Sequence, residues 1–357
     1  MNLRSKEARA GTSPAPTYAD STREMIKVTA LTSGKHFPSS RFRVRQFIEP
    51  LRSFGIDVSE HYPLVNKYHT MKAPPLGLLA RLPGVLASRS GAVTWFEREL
   101  VPGRFTLERY AGGKRLLDID DALWLNAPHF SERLASACDG VIAGNQFIAD
   151  YYQKFTARVW TIPTSIDTAK WQPAPAAESD RWTIGWTGTS SNLKYLYLIE
   201  EPLADFLAQH TDARLLVVCD RKPTLKRLPA RSWRFVRWFP ESEVNLVQSM
   251  DVGLMPLPDE EWARGKCALK MIMYLAVGIP AIASPIGVAN ALLKTNRVGF
   301  GARVANDWYE FLSVLAEDRQ LAARMGAEGR RLVEEEFSVV RNAPKLAAAI
   351  CEVAGEA

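Results

Sequence analysis

The sequence lacks the patterns that cross-link a protein or anchor it in a bilayer. Its 357 residues include four cysteines, and none of them has the CxxC spacing of a zinc or redox site. A disulfide framework and a zinc cluster are therefore not expected, and a reducing cytosol is the expected compartment. No run approaches about 18 uninterrupted apolar residues, and residues 1–25 lack the apolar core of a signal peptide. We expect a cytoplasmic protein without a membrane span.

The motifs of several enzyme classes are also missing. The chain has five histidines and shows no Ser-His-Asp spacing, HExxH or P-loop motif. The 45 basic and 39 acidic residues give a formal net charge of +6, which mildly favours an anionic partner such as phosphate or a phospholipid head group. The basic residues are dispersed and form no aromatic-basic platform, so no nucleic-acid partner is expected.

Strand-length apolar runs alternate with helical patterns along the chain, which indicates an α/β protein. The length suits two domains, and two similar series of strands and helices predict two doubly wound, Rossmann-like domains that face each other across a cleft. The predicted boundaries are a disordered tail at 1–25, a first domain at 26–170, a Pro- and Ala-rich linker at 171–181, a second domain at 182–335 and a C-terminal helix at 336–357.

Residues 75–89 form an apolar segment that contains two arginines. This composition is typical of a core helix, but also of a surface helix that lies with one face in a layer of lipid head groups. Both alternatives stay open at this stage. The second would allow the protein to contact the inner face of a membrane peripherally.

Four segments of the second half resemble the GT-B superfamily, and most closely the retaining glycosyltransferases called GT4. They are a strand with a glycine turn at 184–196, a strand-helix-strand unit at 237–258, a helix followed by glycine, proline and a strand at 270–284, and a loop that starts a helix at 284–293. The first half matches more loosely, at 39–58 and 116–124.

The resemblance implies a GT-B fold and the function of a glycosyltransferase, in the hexosyltransferase class (EC 2.4). It implies that a nucleotide-sugar donor binds to the C-terminal domain, that a sugar or lipid-linked acceptor lies against the N-terminal domain, and that the last helix crosses back to the first domain. It further implies retention of the anomeric configuration, a role in cell-surface polysaccharide or glycolipid assembly, and no need for a metal or other cofactor.

The sequence departs from the family at one motif. The family usually carries two glutamates eight residues apart, and their positions fall here at Gly265 and Met273. The segment offers Lys266 and Lys270 instead, as in a lysine-containing variant of this motif. On a helix, residues four apart share a face, so both lysines are candidates to replace the missing contacts.

The donor candidates are residues at strand-to-helix turns or cations suited to a diphosphate. A glycine turn without function, and core packing for the aromatic residues, are the alternatives. The candidates are Gly188, Thr189, Ser190, Lys194, Trp238, Phe239, Lys266, Lys270, Ile286 and Gly287.

The acceptor candidates lie in the first domain. Asp120 and Asp121 come at the carboxyl end of a strand, where they could orient an acceptor hydroxyl or accept its proton, or only cap the following turn. Together with Lys266 they are the catalytic candidates. Arg41 or Arg43 is expected to reach a phosphate or an anionic acceptor, and no metal site is expected.

Two other functions remain open from the sequence. A GT-B-fold epimerase is disfavoured by the small number of histidines. A non-catalytic protein that binds a nucleotide sugar or a polyanion is suggested by the missing glutamates and the basic charge.

Overall fold

The computed structural model describes residues 24–63, 74–101, 103–174 and 181–356. Within these ranges the first lobe contains a parallel sheet. Its strands are β1 Ile26–Leu31, β2 Ile56–His61, β3 Val93–Glu97, β4 Lys114–Ile119, β5 Gly140–Ala143 and β6 Val159–Thr161. Their order across the sheet is β2-β1-β3-β4-β5-β6.

The second lobe contains another parallel sheet. Its described strands are β7 Trp182–Gly188, β8 Ala213–Cys219, β9 Trp233–Arg237, β10 Val252–Met255, β11 Ala281–Ala283 and β12 Gly299–Gly301. The order is β12-β11-β10-β7-β8-β9, so the direction of winding reverses between β7 and β10. In doubly wound sheets, ligands bind beyond the carboxyl ends of the strands at such a reversal.

Helices connect the strands and cover both sheets. In the first lobe they are α1 Ile48–Arg52, α2 Pro74–Ala87, α3 Pro128–Ser136 and α4 Gln146–Tyr152. In the second lobe and after it they are α5 Leu193–Leu196, α6 Glu200–Gln209, α7 Glu243–Gln248, α8 Glu261–Arg264, α9 Leu269–Ala276, α10 Gly287–Thr295, α11 Ala305–Glu317, α12 Arg319–Leu332 and α13 Val339–Ala354.

The central strands are buried on both faces, which explains why apolar and β-branched residues predominate in them without a strict alternation. All five residues of β3 are buried, as are the first six of β7. The short strand β12 was not predicted. It consists of Phe300 between two glycines, and so has neither the length nor the apolar run that marks a strand.

The last helix lies against the first sheet. Val339, Leu346 and Ile350 of α13 belong to the same buried cluster as residues of β1, β3 and β4. The backbones of Ile166 and Ser338 form a bridge where the chain arrives. The exact domain boundaries stay predictions, and residues 1–23 of the expected tail and 175–180 of the expected linker lie outside the described residues.

Helix α2 is a surface helix. Its inner face packs on β1 through Val85, and Arg81 turns inward to donate to the carbonyl oxygen of Thr32. Its outer face carries leucines that are between 40% and 67% exposed, spaced three or four residues apart: Leu76, Leu79, Leu82 and Leu86. The structure therefore places this helix at the surface with one face in the core, and contact of its outer face with lipid stays a prediction. Among the described residues, no helix has both the length and the hydrophobicity needed to cross a bilayer.

Candidate functional site

The two lobes meet where the carboxyl ends of their sheets face each other. Asn145, which also caps α4, donates from Nδ2 to the carbonyl oxygen of Gly265 at 2.9 Å. Cys267 Sγ lies 3.3 Å from the carbonyl oxygen of Asp120. A Cβ added at Gly265 would lie 2.6 Å from the Cβ of Ala122. The backbones approach too closely for a side chain at this position, which explains why a glycine stands where the family usually has a glutamate.

Lys266 faces the first lobe from this contact. Its Nζ lies 3.5 Å from Oδ1 of Asp121 and 5.5 Å from the ring centroid of Trp262. The prediction that Lys266 and Lys270 share a helical face is wrong, because α9 begins only at Leu269. Between the lysines, Ala268 adopts a left-handed conformation with φ of 53°, so the chain turns sharply before the helix.

Lys270 lies at the reversal point of the second sheet. Its Nζ is 4.4 Å from the ring centroid of the buried Trp186. A Cβ added at Gly188 would lie 3.0 Å from Nζ, so the glycine leaves the space that the ammonium occupies. Burial, together with the charge of the nearby Lys266, lowers the pKa of Lys270 to about 7. Among the described residues no carboxylate forms an ion pair with Lys270, so its charge is not neutralised.

The turn after β7 already uses several of its donors. The Ser190 amide donates to Oδ1 of Asp220 at 2.6 Å, and the Ser190 hydroxyl to Oδ2 at 2.8 Å. The Thr189 hydroxyl lies 2.9 Å from the hydroxyl of Ser191. A phosphate contact at Ser190 therefore requires Asp220 to give way. Asp220 was missed in the sequence, although its place directly after β8 was a signal.

The remaining donor candidates lie in different surroundings. Lys194 is exposed and sits 4.9 Å from the ring centroid of Tyr195. Phe239 is 53% exposed. The Ile286 amide donates to the carbonyl oxygen of Ser284 at 2.8 Å, and Gly287, with φ of 54°, approaches the carbonyl oxygen of Arg264.

Trp238 belongs to a contact between the lobes. Its Nε1 donates to Oε1 of Glu243 at 2.8 Å, and the guanidinium of Arg41 lies 5.3 Å from its ring centroid. Arg41 forms an ion pair with Glu243, with both side chains largely buried. Arg41 thus reaches the second lobe, and one face of the indole predicted to stack on a base is covered.

Arg43 lies inside the first lobe. It donates from Nε to Oδ1 of Asp118 and from Nη1 to the carbonyl oxygen of Ile162, both at 2.8 Å. Burial raises the pKa of Asp118 to about 6, although Arg43 opposes this shift. Because Arg43 is buried and its donors are used within the lobe, the geometry argues against the anion contact predicted for it.

Asp120 and Asp121 lie directly after β4 and face the second lobe. Arg98, which the sequence analysis missed, forms ion pairs with both. Burial raises the pKa of Asp120, and Arg98 offsets this only in part. Burial acts in the same direction on Asp121, but Arg98 and Lys266 outweigh it, and the pKa of Asp121 is lowered. The site therefore holds one carboxylate that stays ionised and one that protonates more readily.

The described residues contain no group of three or more His, Cys, Asp or Glu side chains that could hold a metal ion. Metal independence stays a prediction.

Comparison with known families identifies the second lobe. Residues 181–318 match the family described as "Glycosyl transferases group 1". This lobe is a glycosyltransferase domain. It contains Lys266, Lys270 and Gly188, and the prediction of a glycosyltransferase that uses a nucleotide-sugar donor is confirmed.

Solved structures similar to the whole chain place the glycosyltransferase domain in a GT-B fold, as predicted. Sucrose-phosphate synthase from Thermosynechococcus elongatus is 14% identical, with a TM-score of 0.70, and the match covers 94% of this chain and 100% of that one. HepE of Anabaena in complex with UDP-glucose is 16% identical, with a TM-score of 0.64 and coverage of 91% and 99%.

A third similar structure is WaaG, described as a glycosyltransferase involved in lipopolysaccharide biosynthesis. It is 12% identical, with a TM-score of 0.67, and the match covers 90% of this chain and 99% of that one. At these identities the likeness shows the fold alone. No curated protein matches the chain in sequence.

Proposed function

We propose that the protein binds the diphosphate of a UDP-sugar donor at Lys270 and transfers the sugar, with retention, to an acceptor hydroxyl beside Asp120 and Asp121. The observation that carries the proposal is the un-neutralised ammonium of Lys270 at the reversal point of the second sheet. A half-buried cation without a counter-ion is costly for a protein to hold, and an arriving diphosphate supplies the missing negative charge.

The departing nucleoside diphosphate gains negative charge as the glycosidic bond breaks. A cation fixed at that position stabilises the developing charge without reorganising when the reaction occurs. Lys270 supplies this charge from the second lobe, and Lys266 adds to it from the contact between the lobes. Gly188 serves the same step by leaving room for Lys270.

The acceptor lies on the first-lobe side of the cleft. Asp121 stays ionised because Arg98 and Lys266 lower its pKa, so it can accept a hydrogen bond from an acceptor hydroxyl. Asp120, whose pKa is raised, is suited to take up the hydroxyl proton. Because Lys266 contacts Asp121, the donor and acceptor sides adjoin at this ion pair.

The nature of the donor and acceptor is suggested by the similar structures. HepE was solved with UDP-glucose, and WaaG acts in lipopolysaccharide biosynthesis. We propose a UDP-sugar donor and an acceptor in cell-surface polysaccharide or glycolipid assembly. A lipid-linked acceptor would be met at a membrane, and the exposed leucines of α2 offer a face for peripheral contact with the cytoplasmic leaflet.

A donor screen tests the proposed reaction. UDP-glucose and other nucleotide sugars are incubated with the protein; we expect one of them to raise its thermal midpoint and to be consumed, with a product of the same anomeric configuration by NMR. Lys266→Ala should lose most of this turnover, whereas Lys294→Ala, at an exposed lysine of α10, should keep it. Affinity without turnover across donors and acceptors would favour a non-catalytic binding protein instead.

Vesicle sedimentation tests the membrane contact separately. The double variant Leu79→Ser/Leu86→Ser should release the protein from vesicles that contain anionic lipid. Val340→Ser serves as control, because Val340 is 80% exposed but lies on α13. Equal binding of all three proteins would refute the role of α2.

A further inference from the structure

We infer that Arg98 is a positioning residue that holds the carboxylates of Asp120 and Asp121 in place for the acceptor hydroxyl. The inference rests on the proposed function and adds to it a residue that does not touch the substrate.

The contacts of Arg98 join it to both carboxylates at once. Its Nε donates to Oδ1 of Asp120 at 2.7 Å, and its Nη2 lies 2.6 Å from the same oxygen. Nη2 also donates to Oδ2 of Asp121. The Arg98 amide donates to the carbonyl oxygen of Asp118 at 3.0 Å, which fixes the backbone of Arg98 to β4. A planar guanidinium held in this way defines the orientation of two flexible side chains.

The backbone of Arg98 is in a conformation that a bulky residue rarely adopts. Its φ of 63° lies in the left-handed region, and among the described residues Ala268 is the other non-glycine with a positive φ. Both lie at the contact between the lobes. Such strain persists only where the surroundings over-determine it, and it clusters at functional sites. A residue that only paired charges would not need this conformation.

The charges around Arg98 show what it does to the two aspartates. Glu97 is buried; its Oε2 accepts from the Ser33 amide and the Ser40 hydroxyl, and its Oε1 lies 3.9 Å from Nε of Arg98. Other titratable and charged groups interact with Arg98 and the two aspartates: Glu97, Glu99, Lys266, Arg43 with Asp118, the Cys267 thiol, Tyr152 and Tyr195.

Removing the positive charge of Arg98 therefore leaves Asp120 and Asp121 beside the carboxylate of Glu97, with Lys266 and the Asp118-paired Arg43 as the cations that still act on them. The pKa of both aspartates should then rise, because the neighbouring carboxylates disfavour the ionised forms. Donor binding should not change, since Arg98 lies in the first lobe and Lys270 in the second.

The test compares Arg98→Gln and Arg98→Lys with the wild type. For Arg98→Gln we expect kcat to fall about 100-fold, as for loss of a proton-transfer partner. The acid limb of the kcat/KM profile should move up by about one pH unit or more, while the Kd for UDP stays within about twofold. Arg98→Lys should leave the acid limb of the profile where it is in the wild type, because the positive charge is kept. Its kcat should lie between those of Arg98→Gln and the wild type, because an ammonium cannot reproduce the forked hydrogen bonds of the guanidinium. Arg89→Gln, at an exposed arginine of the same lobe, should behave as wild type.

Several results would overturn the inference. An unmoved acid limb in a folded Arg98→Gln protein would do so, as would a loss of UDP affinity that matches the loss of kcat. If Arg98→Gln does not fold, Arg98→Lys decides, because wild-type kcat in that variant refutes the need for the fork. Absence of wild-type turnover with every donor refutes the proposed function and this inference with it. If the wild type turns over a donor and the Arg98 variants have the same kcat and the same pH profile as the wild type, the inference is refuted and the proposed function is not.

Discussion

Lys270→Met should make the free protein more stable and the donor-bound protein less so. The pKa of Lys270 is lowered from 10.5 to about 7. At about 1.4 kcal/mol per unit, the shift corresponds to about 5 kcal/mol against the charged form. Water reaches part of the side chain, so we expect roughly half of this, about 2 kcal/mol, to be recovered when methionine takes its place.

The stability gain should depend on pH in a defined way. Since the folded pKa lies below the unfolded value, the folded protein binds fewer protons between about pH 7 and pH 10.5, and wild-type stability rises with pH across that window. The advantage of Lys270→Met should therefore be largest at pH 7 and below, where it raises the thermal midpoint by about 3 °C. It should shrink toward pH 10.

The affinity for the donor should fall in Lys270→Met, although the stability of the free protein rises. A hydrogen bond from an ammonium to phosphate contributes about 1.5 to 3 kcal/mol, so the Kd for UDP should rise by about 10- to 150-fold. Thermal denaturation with and without UDP, together with calorimetric titration, measures both effects. Lys294→Met, at an exposed lysine of the same lobe, should show neither. A Lys270→Met protein that keeps the full stabilisation by UDP would refute the assignment of the diphosphate to Lys270.

Three further predictions follow from the same contacts. UDP binding should take up a proton above pH 7, seen as a binding enthalpy that depends on the ionisation enthalpy of the buffer, because the diphosphate favours the charged form of Lys270; the same enthalpy in all buffers would contradict this. Ala268→Gly should raise the free energy of unfolding by about 0.5 to 1 kcal/mol, by relieving a left-handed residue, whereas Ala323→Gly inside α12 should lower it by about 1 kcal/mol; denaturant titration compares the two. Turnover should be the same with and without a chelator. If the chelator abolishes turnover and added magnesium or manganese restores it, the result contradicts a metal-free reaction.

The fold was largely predictable because parallel strands buried on both faces leave strong local signals. The runs that became β3 and β7 are rich in β-branched and aromatic residues, and the turns after them contain polar residues or glycine. Helix α2 was ambiguous for the opposite reason. Its leucines suit a core and an exposed face equally well, and only the packing of Val85 and Arg81 decides which side is inside.

The site was predictable only in part. Lys266, Lys270, Asp120 and Asp121 could be proposed from the sequence because each lies near a strand end or in the segment that resembles a family motif, and their roles stay predictions. The same position should have drawn attention to Arg98, directly after β3.

The left-handed backbone of Arg98 and its two carboxylate partners, however, depend on packing between strands and leave no local signal in the sequence. The pairing of Arg41 with Glu243 joins residues 202 positions apart. Nothing in either segment alone indicates that pairing.

The placement of α13 has a consequence for how the chain folds during synthesis. The first sheet leaves the ribosome early, but one face of its core is completed by Val339, Leu346 and Ile350, which are made after the second lobe. An amino-terminal fragment cut between the lobes would expose that apolar face to water. The core of the first lobe is therefore complete only after the second lobe has been translated, which couples the two lobes during synthesis.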